Sequence, residues 1–131
     1  MALIIIVGRY ISNLQAIQDS VSDSLSKHCL CIEEKGLFKD KTQLLAAYPR
    51  PQTAIFDLTN YPEGASLVLQ AFHTVCPEEV HKIIVHPYQG GLLDSLKERF
   101  SAMQFVHLEE VSDRLGPMLE NKLLFSKTLS K

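Results

Sequence analysis

A carboxylate, Asp57, sits in the apolar run Thr53-Ala54-Ile55-Phe56-Asp57-Leu58, directly ahead of the turn-rich stretch Thr59-Asn60-Tyr61-Pro62-Glu63-Gly64. A buried strand that opens into a polar loop is where α/β proteins place ligands, so Asp57 is the first residue from which chemistry is expected. Two readings stand side by side: a modified or ion-pairing carboxylate, or a strand-end Asp that caps the following turn. Arg9, just behind the first apolar run, is the candidate counter-ion that would hold Asp57 ionised. The five histidines include no i, i+4 helical pair of the kind that grips a metal, although His86 and His107 could both point to one sheet edge. No metal and no cofactor are expected. Tyr10, Tyr61 and Tyr88 follow the first, third and fourth apolar runs. They are either packing residues or, with Gly8, the loops of a site that stacks a flavin or nucleotide.

Other chemistry finds less support. Gly8 and the Gly90-Gly91 pair lie outside any GxGxxG or GxxxxGK[ST] pattern, and Gly8 reads as a tight turn. No serine occupies a nucleophile elbow and no cysteine has an evident His and acid constellation, so an enzyme is not expected. The cysteines are odd in number, and Cys29-x-Cys31 places two side chains on one face of a strand. Free, partly buried thiols in a reducing cytoplasm are the expectation.

Five short apolar runs position these residues, and the stretches between them switch to helical spacing. The strands are expected over 3–7, 29–32, 53–58, 82–86 and 104–108, the second nearer a sheet edge because Glu33, Glu34 and Lys35 flank it. A first helix, capped by Ser12, carries Leu14, Ile17, Val21 and Leu25 and closes near His28. A short second helix starts at Asp40 or Thr42 and is stopped by Pro49 and Pro51. A third covers 65–76 and a fourth 92–103. A last helix bears Val111, Leu115, Met118, Leu119 and Leu123, with Pro117 predicting a kink or a start only at Leu115. Right-handed crossovers then give a doubly wound five-stranded parallel sheet in the flavodoxin-like order 2-1-3-4-5.

The whole-chain properties agree with one such domain. The sequence has 131 residues, 46% hydrophobic and 21% charged, enough to bury a core without staples. The net charge of -2 and the lack of a basic stripe disfavour nucleic acid as a direct partner. The apolar start, Ala2 to Val7, is too short for a signal peptide or a membrane span. A cytoplasmic domain over 1–125, followed by a basic polar tail or linker over 126–131, is the expected organisation.

With these elements placed, the chain resembles a bacterial response-regulator receiver domain to about Phe125. Asp57 in Ile55-Phe56-Asp57-Leu58 stands at the phosphoacceptor-like position, with Pro62 and Gly64 in the loop after it. Pro62 lies five residues past Asp57, one more than the family spacing. His86 falls where the family ends strand four with a hydroxyl residue, and Phe105 falls at its aromatic switch position. The acidic pair after strand one is replaced by Gly8-Arg9, and the lysine after strand five by Leu108. Mg²⁺ requires several oxygen ligands and the phosphoryl group a neutralising cation, so this resemblance implies a degenerate, non-catalytic receiver. The start Leu3-Ile4-Ile5-Ile6-Val7-Gly8-Arg9-Tyr10 further resembles the receiver-like domains heading some enhancer-binding transcription activators. What the resemblance implies is signal transduction or transcription regulation through a homodimer or protein partner. The docking surface would be the face of helix four and strand five, including Leu92, Leu93, Leu96, Phe100 and Phe105.

Overall fold

The computed structural model describes residues 4–21, 23–34, 52–59, 61, 64–76 and 78–119. The short helix expected around Leu44 and the tail over 126–131 lie outside these residues. The strands are β1 (Ile4–Gly8), β2 (Cys29–Glu33), β3 (Thr53–Asp57), β4 (His81–His86) and β5 (Gln104–His107). They form one parallel sheet in the order β2-β1-β3-β4-β5, the flavodoxin-like arrangement, with β2 at an edge. The described helices are α1 (Ile11–Asp19), the single turn α2 (Asp23–Ser26), α3 (Ala65–Val75), α4 (Gly90–Arg99) and α5 (111–119).

Continuous apolar strands are what a sheet covered on both faces demands, since successive side chains point to opposite sides. Ile5, Val7, Ala54, Phe56, Ile84 and Phe105 meet α3, through Val68, Leu69 and Phe72, and α4, through Leu96. Ile4, Ile6, Ile55, Ile83, Val85 and Val106 meet the other layer, formed by Leu14 and Ile17 of α1, Leu25 of α2, and Val111, Leu115 and Leu119 of α5.

Several boundaries differ from expectation; α4, expected over 92–103, spans Gly90–Arg99. The first helix does not run unbroken to His28: the Ser20 hydroxyl donates back to the Ile17 carbonyl at 2.6 Å, and the chain bends before α2. Such back-bonding offers the backbone an alternative to the next helical turn. Ser12 is not the cap either. Tyr10 occupies that position without a side-chain hydrogen bond, and the Ile11 N–H donates to Glu33 Oε2 at 3.0 Å, so the end of β2 caps α1. A carboxylate there also suits the positive end of the helix dipole. At the other end, Leu108 leaves β5 to open a 3₁₀ turn, Leu108–Glu110, and α5 starts at 111 and runs through Pro117.

Cys29 and Cys31 share one face, as their spacing requires, and lean on α1 and α2. Cys31 Sγ donates to Gln18 Oε1 at 3.3 Å and Cys29 Sγ to the Leu25 carbonyl at 3.4 Å. Burial, and then the neighbouring Cys31, push the Cys29 thiol from 9.0 to about 11, and burial raises Cys76 likewise to about 11. Thiolate is the reactive form, so at pH 8 about one part in a thousand of Cys29 is available. Alkylation by iodoacetamide at about pH 8 is therefore expected to be far slower in the native protein than in urea, read by intact mass.

Candidate functional site at the carboxyl edge of the sheet

Three adjacent strands end in the same local device. Asp57 Oδ1 accepts the Thr59 N–H at 3.1 Å and the Thr59 hydroxyl. His86 Nδ1 accepts the Tyr88 N–H at 3.1 Å, and His107 Nδ1 accepts the Glu109 N–H at 3.1 Å. Each strand-end side chain thus satisfies a loop N–H two residues on, as polar residues do at turns. The strand-end capping reading of Asp57 holds in geometry.

The same hydrogen bonds decide the chemistry of the histidines. With Nδ1 used as an acceptor, a neutral ring carries its proton on Nε2 and offers no lone pair there to a metal. His86 and His107 face each other across the β4–β5 register, ring centroids 5.4 Å apart and nearly perpendicular. His86 also stacks on Tyr88 at 6.2 Å and meets Phe105 edge-on at 5.9 Å. The switch-like positions His86 and Phe105 are thereby brought into contact. Burial first, then His107 and Lys97, lower the His86 pKa from 6.5. Among the described residues no group of three or more His, Cys, Asp or Glu is placed to hold a metal ion.

Arg9 is held over the Tyr61 ring, 4.3 Å from its centroid, in cation–π geometry. Tyr61 is buried against Phe56 at 5.3 Å, Tyr88 is half-buried, and Tyr10 is exposed. The three tyrosines therefore occupy different environments.

Gly8 lies beside Asp57. A Cβ at this position would fall 2.7 Å from Leu14 Cδ2 and 3.0 Å from Asp57 Cβ, so glycine is needed here for close approach of the backbone. The tight-turn role expected of Gly8 is replaced by this packing role, because Gly8 is the last residue of β1.

Between α1 and the start of α5 the edge opens into a cleft of about 430 Å³. Asp57, Thr59, Asn13, Ser20 and Ser112 supply its polar lining; Ala16, Ile17, Leu108 and Val111 supply the apolar part. Asp57 is 1% exposed, and burial raises its carboxyl above 3.8 against the opposing effect of the Thr59 hydrogen bonds. Among the described residues the exposed large apolar side chains are Tyr10, Ile11 and Leu108, which follow the ends of β1 and β5, and Leu67 and Leu92, in the first turns of α3 and α4. The sequence reading missed the cleft, because its two walls come from residues near 13–20 and 108–112, which nothing local connects.

The raised Asp57 pKa fixes the sign of a pH effect. Its contribution to stability is fully present below the unfolded value of 3.8 and is lost as pH rises through the folded value. The depressed His86 acts oppositely, losing stability as pH falls below 6.5. Asp57→Asn keeps an oxygen for the Thr59 N–H but removes the charge. The variant is expected to gain on the wild type in urea midpoint as pH rises above about 3.8, the His86 effect cancelling in the difference.

No family model, curated protein or solved structure matches the chain. The functional reading therefore stands on the fold and the site. Among the described residues no helix is long and apolar enough to cross a membrane.

Proposed function

We infer that this chain is an atypical receiver-like signalling domain that performs no phosphotransfer and acts by docking a protein, a second copy of itself included. The observation that carries the reading is the pairing of Asp57 with Gly8. A carboxylate ends β3 in a sheet of order 2-1-3-4-5, where a receiver bears its phosphoacceptor, yet the adjoining end of β1 carries Gly8, where even a Cβ would meet Leu14 at 2.7 Å and Asp57 at 3.0 Å. Leu108 stands in place of the charge-neutralising lysine, so a phosphoryl group on Asp57 would lack both its metal ligands and its cation. Bacterial signal transduction or transcription regulation is the setting this architecture fits.

Exposure supports docking near α4 and β5. Leu96, Phe100 and Phe105 are core residues, Leu93 is half-buried, and Leu92, 52% exposed, and Leu108, 46% exposed, are the apolar groups this side offers a partner. Sedimentation over a wide concentration range tests the homodimer directly. Self-association that Leu92→Asp weakens is expected; a monomer at every concentration, with the variant indistinguishable, contradicts docking of a second copy through this face.

A further inference from the structure

We propose that the cleft over Asp57 is a binding site for a compact organic cation, an ammonium group on a small apolar body. The inference goes beyond the receiver-like reading and rests on the cleft's own residues, so either can fail without the other.

Asp57 is withdrawn from water, and both of its described hydrogen bonds, from the Thr59 N–H and hydroxyl, go to Oδ1. No described donor reaches Oδ2. A buried carboxylate is costly unless a cation and hydrogen bonds compensate it. The described lining contributes no basic residue: Asn13, Ser20, Thr59 and Ser112 are neutral. Exposed Glu109 follows Leu108 in the turn and adds to the negative field there, whereas Glu110 is paired with Arg114 at 3.3 Å.

An occupant with a positive charge and N–H donors supplies what the cleft lacks, through a charge-assisted hydrogen bond to Oδ2. Ala16, Ile17, Leu108 and Val111 then cover its carbon body. The volume of 430 Å³ suits a small molecule. An anion is repelled by Asp57, and a hard divalent cation needs more carboxylates than the single one present.

The test titrates benzylamine, phenethylamine and butylamine into the isotope-labelled full chain near neutral pH, with benzyl alcohol as the uncharged match for benzylamine. Saturable amide shifts at Asn13, Thr59, Leu108, Val111 and Ser112 are expected from at least one amine and not from the alcohol. Asp57→Asn should weaken binding roughly tenfold or more, the loss typical of removing a charged hydrogen-bond partner. Binding should also weaken as pH falls through the titration of Asp57, a readout that needs no variant. Three outcomes would each overturn the proposal: no saturable shift from any amine, equal binding of alcohol and amine, or equal binding by the wild type and a folded Asp57→Asn. Should that variant not fold, the alcohol comparison and the pH series decide.

Discussion

Phe56→Ala is expected to lower the stability of this domain by about 4 kcal/mol, the range for emptying a fully buried aromatic site. Phe56 is 0% exposed at the middle of the sheet, stacked on Phe72 with centroids 4.8 Å apart and packed against Tyr61 at 5.3 Å. Its loss leaves a cavity between β3 and α3 that neither neighbour can fill without leaving its own contacts. It also releases the ring over which Arg9 is held, so the effect should extend to the carboxyl edge. Against a total of about 5–15 kcal/mol for ordinary domains, a loss of this size removes a large share of the folding free energy. Urea denaturation followed by circular dichroism measures it. A loss below about 1 kcal/mol would mean that the α3 layer is not the packed unit described.

Gly8→Asp, which places an acid where a receiver carries one, is expected to cost about 3 kcal/mol or more. Two penalties combine. The added Cβ collides with Leu14 Cδ2 and Asp57 Cβ, and overpacking of this kind typically costs about 1–3 kcal/mol. The second carboxylate then faces the buried Asp57, and like charges sharing a site oppose ionisation of both. Gly8→Asn carries the steric part without the charge, so the difference between Gly8→Asp and Gly8→Asn isolates the charge. Urea midpoints at neutral pH, with and without Mg²⁺, provide the comparison. If Mg²⁺ restored Gly8→Asp to wild-type stability, the edge would be a latent metal site, and the packing argument would fail.

The sheet was legible because its strands are continuous apolar runs, each of which must be buried on both faces. The order β2-β1-β3-β4-β5 is the one expected for five alternating strand and helix units. The helix break at Ser20 was hidden because Leu14, Ile17, Val21 and Leu25 all enter one core cluster, so their spacing looks the same with or without the bend. Glu33 capping α1 is a contact between residues 22 apart, beyond the reach of a local capping rule. At the site, Asp57, His86 and His107 were recognisable as strand-end polar residues, while their common use as acceptors for the N–H two residues on needs backbone geometry. Arg9 was expected beside Asp57 from its place after β1. Its position over Tyr61 depends on how that ring packs against Phe56, which spacing does not encode.

The most direct measurement of the non-catalytic claim is exposure of the full chain to acetyl phosphate or beryllofluoride with Mg²⁺, followed by intact mass and by amide shifts at Thr59, Phe105 and Leu108. An unchanged mass and unchanged shifts, the same as in Asp57→Asn, are the expected result. Gain of one phosphoryl group, or shifts at these residues that disappear in Asp57→Asn, would contradict the account and make Asp57 a working phosphoacceptor.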